Sequence, residues 1–184
     1  QGNLFIADSQ NQKIRKITPA GTVSDFASVP YPTALAVDAH DTLFAITNLA
    51  IQTISTAGVV TLLAGNTGQS GSTNGTGAAA RFTGQYGLTV DTSGNVYVVA
   101  YGLNTIRKIT SAGVVTTFAG ALSSAGHVDD AVGLNARFNV PKGITIDSTS
   151  SNLYVAEETG NVIRKIVLNS DGTAGAVSTI AGTY

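Results

Sequence analysis

Residues 95–120 contain NVYVVA (95–100), TIRKIT (105–110) and VVTTFAG (114–120), three short apolar stretches separated by YGLN and SAG. Each stretch is rich in Val, Ile, Thr, Phe and Tyr, and Gly, Asn and Ser stand between them, which is the pattern of β-strands joined by turns. The same trio recurs along the chain. It appears as NLFIAD (3–8), KIRKIT (13–18) and TVSDFA (22–27), then as TLFAIT (42–47), AIQTIS (50–55) and VVTLLAG (59–65), and last as NLYVAE (152–157), VIRKIV (162–167) and AVSTIAG (176–182). GVVTLLAG at 58–65 and GVVTTFAG at 113–120 agree at six of eight positions. Self-similarity at this spacing marks one supersecondary unit repeated in tandem.

A fourth stretch precedes three of the trios: TALAVD (33–38), YGLTVD (86–91) and KGITID (142–147). The unit is therefore four strands, here A (GLTVD), B (NVYVV), C (TIRKI) and D (VVTTFAG). Between A and B of the third unit stands DTSGN (91–95), whose Asp and Asn bond their own backbone and whose Gly accepts positive φ. Four strands joined by short turns make an antiparallel meander, and tandem meanders make an all-β propeller with one sheet per blade. The blades are expected at 1–29, 30–65, 84–120 and 140–182 of a single domain over 1–184, with insertions at 66–83 and 121–139.

Blades of the form P-x-G-I-x-V-D, G-N-x-Y-V-A-D, N-x-I-R-K-I and G-x-V-x-T-x-A-G resemble NHL repeats. The best matches are Pro141 to Asp147, Gly94 to Ala100 and Asn104 to Gly120, and the likeness covers nearly the whole chain outside the two insertions. The resemblance implies a propeller, six-bladed more often than four-bladed. It is nearly silent on function, because NHL propellers include interaction modules, RNA binders, sensor domains and a zinc-dependent lyase. Three A strands against four sets of B, C and D make fifteen strands, with the first blade lacking its inner one. This phase, a first residue that is Gln, and the absence of Met predict a portion of a longer polypeptide. A closed four-bladed ring with a defective first blade is the alternative.

Composition narrows the function. Charged residues are 11% of the chain, against an ordinary ~25%, and Cys is absent, which excludes a disulfide framework and Cys-ligated metals. A surface solvated by Ser, Thr and Asn points to an extracellular or cell-surface protein. No stretch approaches the ~20 apolar residues of a membrane span. A net charge of −1 argues against a nucleic-acid partner. Seven of the ten basic residues lie in C strands: Lys13, Arg15, Lys16, Arg107, Lys108, Arg164 and Lys165. Neighbours in a strand point to opposite faces, so these residues do not form one basic stripe. Their stems are expected to lie over neighbouring blades with the charged heads in water.

Asp38, Asp91 and Asp147 each end an A strand at the start of a turn, and are expected to be scaffold Asx-turn residues. The B-strand ends vary as Asp8, Thr47, Ala100 and Glu157, which suggests a surface position. Both insertions end in A-R-F, at Ala80-Arg81-Phe82 and Ala136-Arg137-Phe138. Here a helical turn of small residues, a packed Phe and an Arg bonded to loop carbonyls or a carboxylate are expected. The first insertion, GNTGQSGSTNGTG, reads as a flexible or carbonyl-rich excursion with Ser70, Ser72 and Asn74 as ligand groups. The second offers His127, Asp129 and Asp130. Loops on a rigid scaffold are where binding concentrates.

Catalytic patterns are thin. His40 and His127 are the only histidines and Glu157 and Glu158 the only glutamates, and neither G-x-S-x-G nor H-E-x-x-H occurs. The reading is a non-catalytic module without cofactor or metal, binding a protein or glycan through rim loops, with Tyr31, Tyr86 or Tyr101 as anchors. Two alternatives stand beside it: a structural repeat that self-associates through its terminal blades, and a portion of a propeller enzyme with its catalytic residues elsewhere.

Overall fold

The computed structural model describes residues 2–183. Gln1 and Tyr184, which belong to the expected domain range, lie outside the described residues. The first sheet has three strands, β1 (Leu4–Asp8), β2 (Lys13–Ile17) and β3 (Val23–Ser28). The second has four, β4 (Pro32–Val37), β5 (Leu43–Thr47), β6 (Ala50–Ile54) and β7 (Val60–Gly65). A two-strand-residue segment, β8 (Gly75–Thr76), lies in the first insertion. The third sheet follows with β9 (Gln85–Val90), β10 (Val96–Ala100), β11 (Thr105–Ile109) and β12 (Val114–Ala119). The fourth is β13 (Pro141–Ile146), β14 (Asn152–Glu157), β15 (Val162–Leu168) and β16 (Ala174–Ala181). Every pairing is antiparallel between sequence neighbours except β8, which adds itself to the outer edge of β12. The fifteen expected strands thus become sixteen described ones. No helix among the described residues is long and apolar enough to cross a membrane.

The inner strands stand side by side in the order β1, β4, β9, β13, and each sheet stacks on the next. Three apolar layers fill the gaps. Ile14, Leu43, Ala45 and Ile54 lie between the first and second sheets. Phe44, Ile46, Ile51, Val96, Val98 and Ile109 lie between the second and third. Tyr97, Val99, Ile106, Leu153, Val155 and Ile166 lie between the third and fourth. Strict alternation sends successive side chains to opposite gaps, which is why these strands carry apolar residues on both faces. Leu43, Val96 and Leu153, the residues opening β5, β10 and β14 or one step into them, are wholly buried. Their counterpart Leu4 in the first sheet is 65% exposed, and Ile6 and Val23 beside it are also exposed.

Candidate functional site

Both insertions fold onto the blade that follows them. In the first, Gly71 donates to the Phe82 carbonyl at 3.1 Å and Arg81 N–H to the Thr73 carbonyl at 3.0 Å. Gly77–Ala79 form a single 3-10 turn just before Ala80, and β8 is tied to β12. The segment is therefore folded back, the carbonyl-rich form of the excursion and not the flexible one. In the second, Val128 and Arg137 form an antiparallel bridge, and Asp130 forms another with Val177 of the fourth sheet's outer strand. Phe82 and Phe138 are fully buried and join the apolar layers between sheets. Gly65 and Gly120 make room for these rings. Their φ values are +100° and +83°, and a Cβ at either would stand 3.0 Å from the ring and closer still to backbone.

The side chains that pin the insertions are the C-strand arginines. Arg107 and Arg164 are fully buried, not headed into water as the sequence reading had it. The reason is that their strand position lies beneath the incoming loop, whose carbonyls solvate the guanidinium. Arg164 donates to the carbonyls of Arg137 (2.8 Å) and Val128 (2.9 Å), to Asp129 Oδ1 (2.6 Å) and to Glu157 Oε1 (2.7 Å). Arg107 donates to Asn74 Oδ1 at 2.8 Å and to the Thr73 and Arg81 carbonyls at 3.3 Å each. Each guanidinium also stands over the A-R-F ring, at 5.4 Å for Arg107 on Phe82 and 5.1 Å for Arg164 on Phe138. In the first sheet Arg15 is only half-buried and pairs with Asp8 and Asp25. The second blade has Gln52 at this position and a short loop before it, so across the second to fourth blades the arginine accompanies the A-R-F insertion. That co-occurrence was available in the sequence and is the signal that finds these residues.

The same network fixes where the expected ligand residues sit. Asn74 and Asp129 are held by Arg107 and Arg164, and Asp129 also accepts from Thr179 N–H at 2.8 Å. Burial works to raise the Asp129 carboxyl, but the Thr179 N–H and Arg164 outweigh it and hold it below its ordinary value. Asp130 accepts from Val132 N–H at 2.8 Å, and His127 faces Glu157 at 3.2 Å and Asn139 at 3.2 Å. His127 and Asp129 are thus linked through Glu157 and Arg164, and Asp130 is held in its own turn. Among the described residues no set of three His, Asp or Glu side chains is arranged to hold a metal. Ser70 is exposed, beside its bridge to Phe82, and Ser72 is half-buried. The B-strand ends Thr47, Ala100 and Glu157 are buried, not at the surface, because the insertions and loops of the rim cover them.

Arg81 and Arg137 are half-buried. Arg81 donates to the Ala78 (2.6 Å) and Ala80 (2.8 Å) carbonyls and to Gln69, and Arg137 to the Ala136 carbonyl at 2.8 Å. On the opposite rim, Asp38 accepts from the N–H groups of His40 and Thr42, and Asp91 from those of Ser93 and Asn95. Asp147 accepts from Ser151 N–H at 2.8 Å and from Asn152 Nδ2 at 2.7 Å. Its carboxyl is lowered to about 2, first by the Asn152 amide and then by the Ser151 N–H. Tyr97 donates to Asp91 Oδ2 at 3.1 Å, and burial raises its phenol well above the ordinary value.

Where the insertions run into the inner strands, a different cluster is exposed. Tyr86 lies four residues past Phe82, and Lys142 four past Phe138, so the two share one repeat position at the inner end of adjacent blades. Tyr101 comes from the B–C turn of the third blade, fixed by its N–H to the Gly84 carbonyl at 2.8 Å. The Tyr86 and Tyr101 rings are 5.2 Å apart and tilted by 42°. Lys142 Nζ stands 4.9 Å from the first centroid and 5.4 Å from the second, and pairs with Glu158 at 2.6 Å. Tyr86 is 51% exposed although it sits on an inner strand. Val140, two residues before Lys142, has φ +57°, which a β-branched residue rarely adopts, and its N–H is held by Asn104 Oδ1 at 3.0 Å. Tyr31 holds the matching position before Pro32 with φ +45° and is also exposed.

No known protein family and no curated protein matches the chain. Solved structures do. A Bacteroides thetaiotaomicron VPI-5482 protein of unknown function is 25% identical, with a TM-score of 0.76 over 96% of this chain and 44% of its own. Virginiamycin B lyase from Staphylococcus aureus is 20% identical, with a TM-score of 0.67 over 100% of this chain and 53% of its own. An auxiliary nutrient binding protein from Bacteroides thetaiotaomicron VPI-5482 is 15% identical, with a TM-score of 0.74 over 97% and 45%. The likeness is one of fold, and the chain is all-β, built of propeller blades. It spans about half the length of these proteins.

Proposed function

We propose that the chain belongs to an NHL-like propeller that binds a glycan without converting it, outside the cell or at its surface. The observation that carries this reading is the Tyr86–Tyr101–Lys142 cluster. The exposed Tyr86 ring beside the half-buried Tyr101 offers apolar surface to the C–H face of a sugar, while Lys142 and Glu158 supply a donor and acceptors to its hydroxyls. The cluster departs from the repeat, since the second blade has Thr33 in place of Tyr86 and Lys142. Its supports are rigid: both insertions are pinned to their blades, and strain at Val140 is stored beside Lys142. A surface poor in charge and a fold shared with a nutrient binding protein agree with this reading, although a lyase shares that fold too. Screening the protein against immobilised glycans tests it. Wild type should bind a subset, and the Tyr86→Ala, Tyr101→Ala double variant should lose that binding while melting unchanged. Retention of binding by the double variant refutes the site.

A second reading rests on the first sheet. Leu4 and Ile6 are exposed at positions whose counterparts in the other sheets are buried, and Val23 is exposed where Val115 and Val177 are buried, which supports association with a further sheet through this face. Sedimentation of wild type and Ile6→Asp tests it. An assembly that the substitution dissociates supports the reading, and a monomer in both cases opposes it.

A further inference from the structure

Arg107 and Arg164 occupy the same place in successive blades, yet only one has an acid. Arg164 meets Asp129 and Glu157. Arg107 meets only neutral oxygens, and among the described residues it makes no salt bridge. The position of Glu157 is held by Ala100. Around Ala100 the chain also changes character. Gln85 and Thr105 are its partners on β9 and β11, where the fourth blade has Pro141 and Val162 beside Glu157. Cross-strand partners share a face, and Arg107 lies two residues from Thr105 on that face. Gln85 is 8% exposed, and Thr105 and Arg107 are fully buried. Gln85 Nε2, Thr105 Oγ1 and Arg107 Nε have no hydrogen-bond partner. Burial without a counter-charge also holds the Arg107 guanidinium below its ordinary pKa.

Three unsatisfied donors, one of them on an uncompensated cation, are costly to bury singly, and the register through Ala100 sets all three on one face of the third blade, where a single charged acceptor would answer them. We propose that the third blade binds a small monovalent anion of the halide class between Gln85, Thr105 and Arg107, where the fourth blade uses the carboxylate of Glu157. Donors from an amide, a hydroxyl and a guanidinium suit an acceptor that carries charge. Water satisfies the same donors but leaves the guanidinium uncompensated, so charge is what the test must read.

Crystals soaked in bromide should show an anomalous peak beside Arg107 Nε. In solution at constant ionic strength, replacing gluconate by chloride should raise the melting temperature of wild type saturably. Ala100→Glu places a carboxylate in the anion's position, and should melt independently of chloride and show no bromide peak. Should that variant fail to fold, Thr105→Val, which copies Val162, removes one donor and should raise the chloride concentration for half-maximal stabilisation about tenfold. No bromide peak in wild type, a peak without chloride dependence in solution, or unchanged halide affinity in Thr105→Val overturns the proposal.

Discussion

The guanidinium of Arg164 stands 5.1 Å from the ring centroid of Phe138, so a C-strand side chain of one blade clamps the ring that ends the insertion leading into that blade. Arg107 and Phe82 repeat the relationship at 5.4 Å. A cation fixed by loop carbonyls on one side and an aromatic face on the other converts a long loop into part of the scaffold.

Phe138 is fully buried in the layer between the third and fourth sheets. Phe138→Ala should therefore cost about 3–5 kcal/mol, read from denaturant unfolding. An unchanged midpoint would place the ring outside the core.

Arg164 and Glu157 are both wholly buried, whereas Arg15 is about a third exposed with its acids in reach of water. Replacing Arg164 by Gln leaves Glu157 buried beside one fewer cation and should destabilise by about 3–5 kcal/mol. Arg15→Gln should cost at most about 1 kcal/mol. Hydrogen exchange over 121–139 should also rise in the first variant alone. Equal effects of the two substitutions would contradict the clamp.

Val140 is held at φ +57°. Val140→Asn relieves that backbone and should raise stability by about 1 kcal/mol. A loss of stability would mean that the valine side chain contributes more than its backbone costs.

The Asp147 carboxyl is lowered to about 2 by Asn152 and the Ser151 N–H. A depressed folded value means that its stabilising contribution is complete above the unfolded pKa of ~3.9 and is lost as pH falls through about 2. Carboxyl NMR titration should show this midpoint in wild type and an upward shift in Asn152→Ala. A midpoint near the ordinary aspartate value in wild type would remove the turn's claim on that carboxylate.

The blades were legible because each strand's pattern is local and repeats. Alternation in VVTTFAG, the Asp that opens each A–B turn and the Gly that closes three of the four D strands act within a few residues of themselves. The fate of Arg107 and Arg164 was harder to read. Strand alternation says which face a side chain takes, but a loop some thirty residues upstream decides whether that face is wet. The same distance hid Asn74 and Asp129, whose polar groups look free in sequence and are held by arginines in the fold. Tyr86 and Tyr101 were legible as candidate anchors, yet their pairing under Lys142 depends on the stacking of two blades, which no single repeat encodes.

The most direct measurement of the proposed binding site uses the tyrosines themselves. The chain has six tyrosines and no tryptophan, so a protein labelled at Tyr rings gives a small, assignable set of NMR signals. Titration with a glycan selected in the binding screen should shift Tyr86 and Tyr101 together, with one dissociation constant, while buried Tyr97 stays still. Shifts confined to Tyr31 or Tyr154, with Tyr86 and Tyr101 unmoved at saturation, would contradict the account.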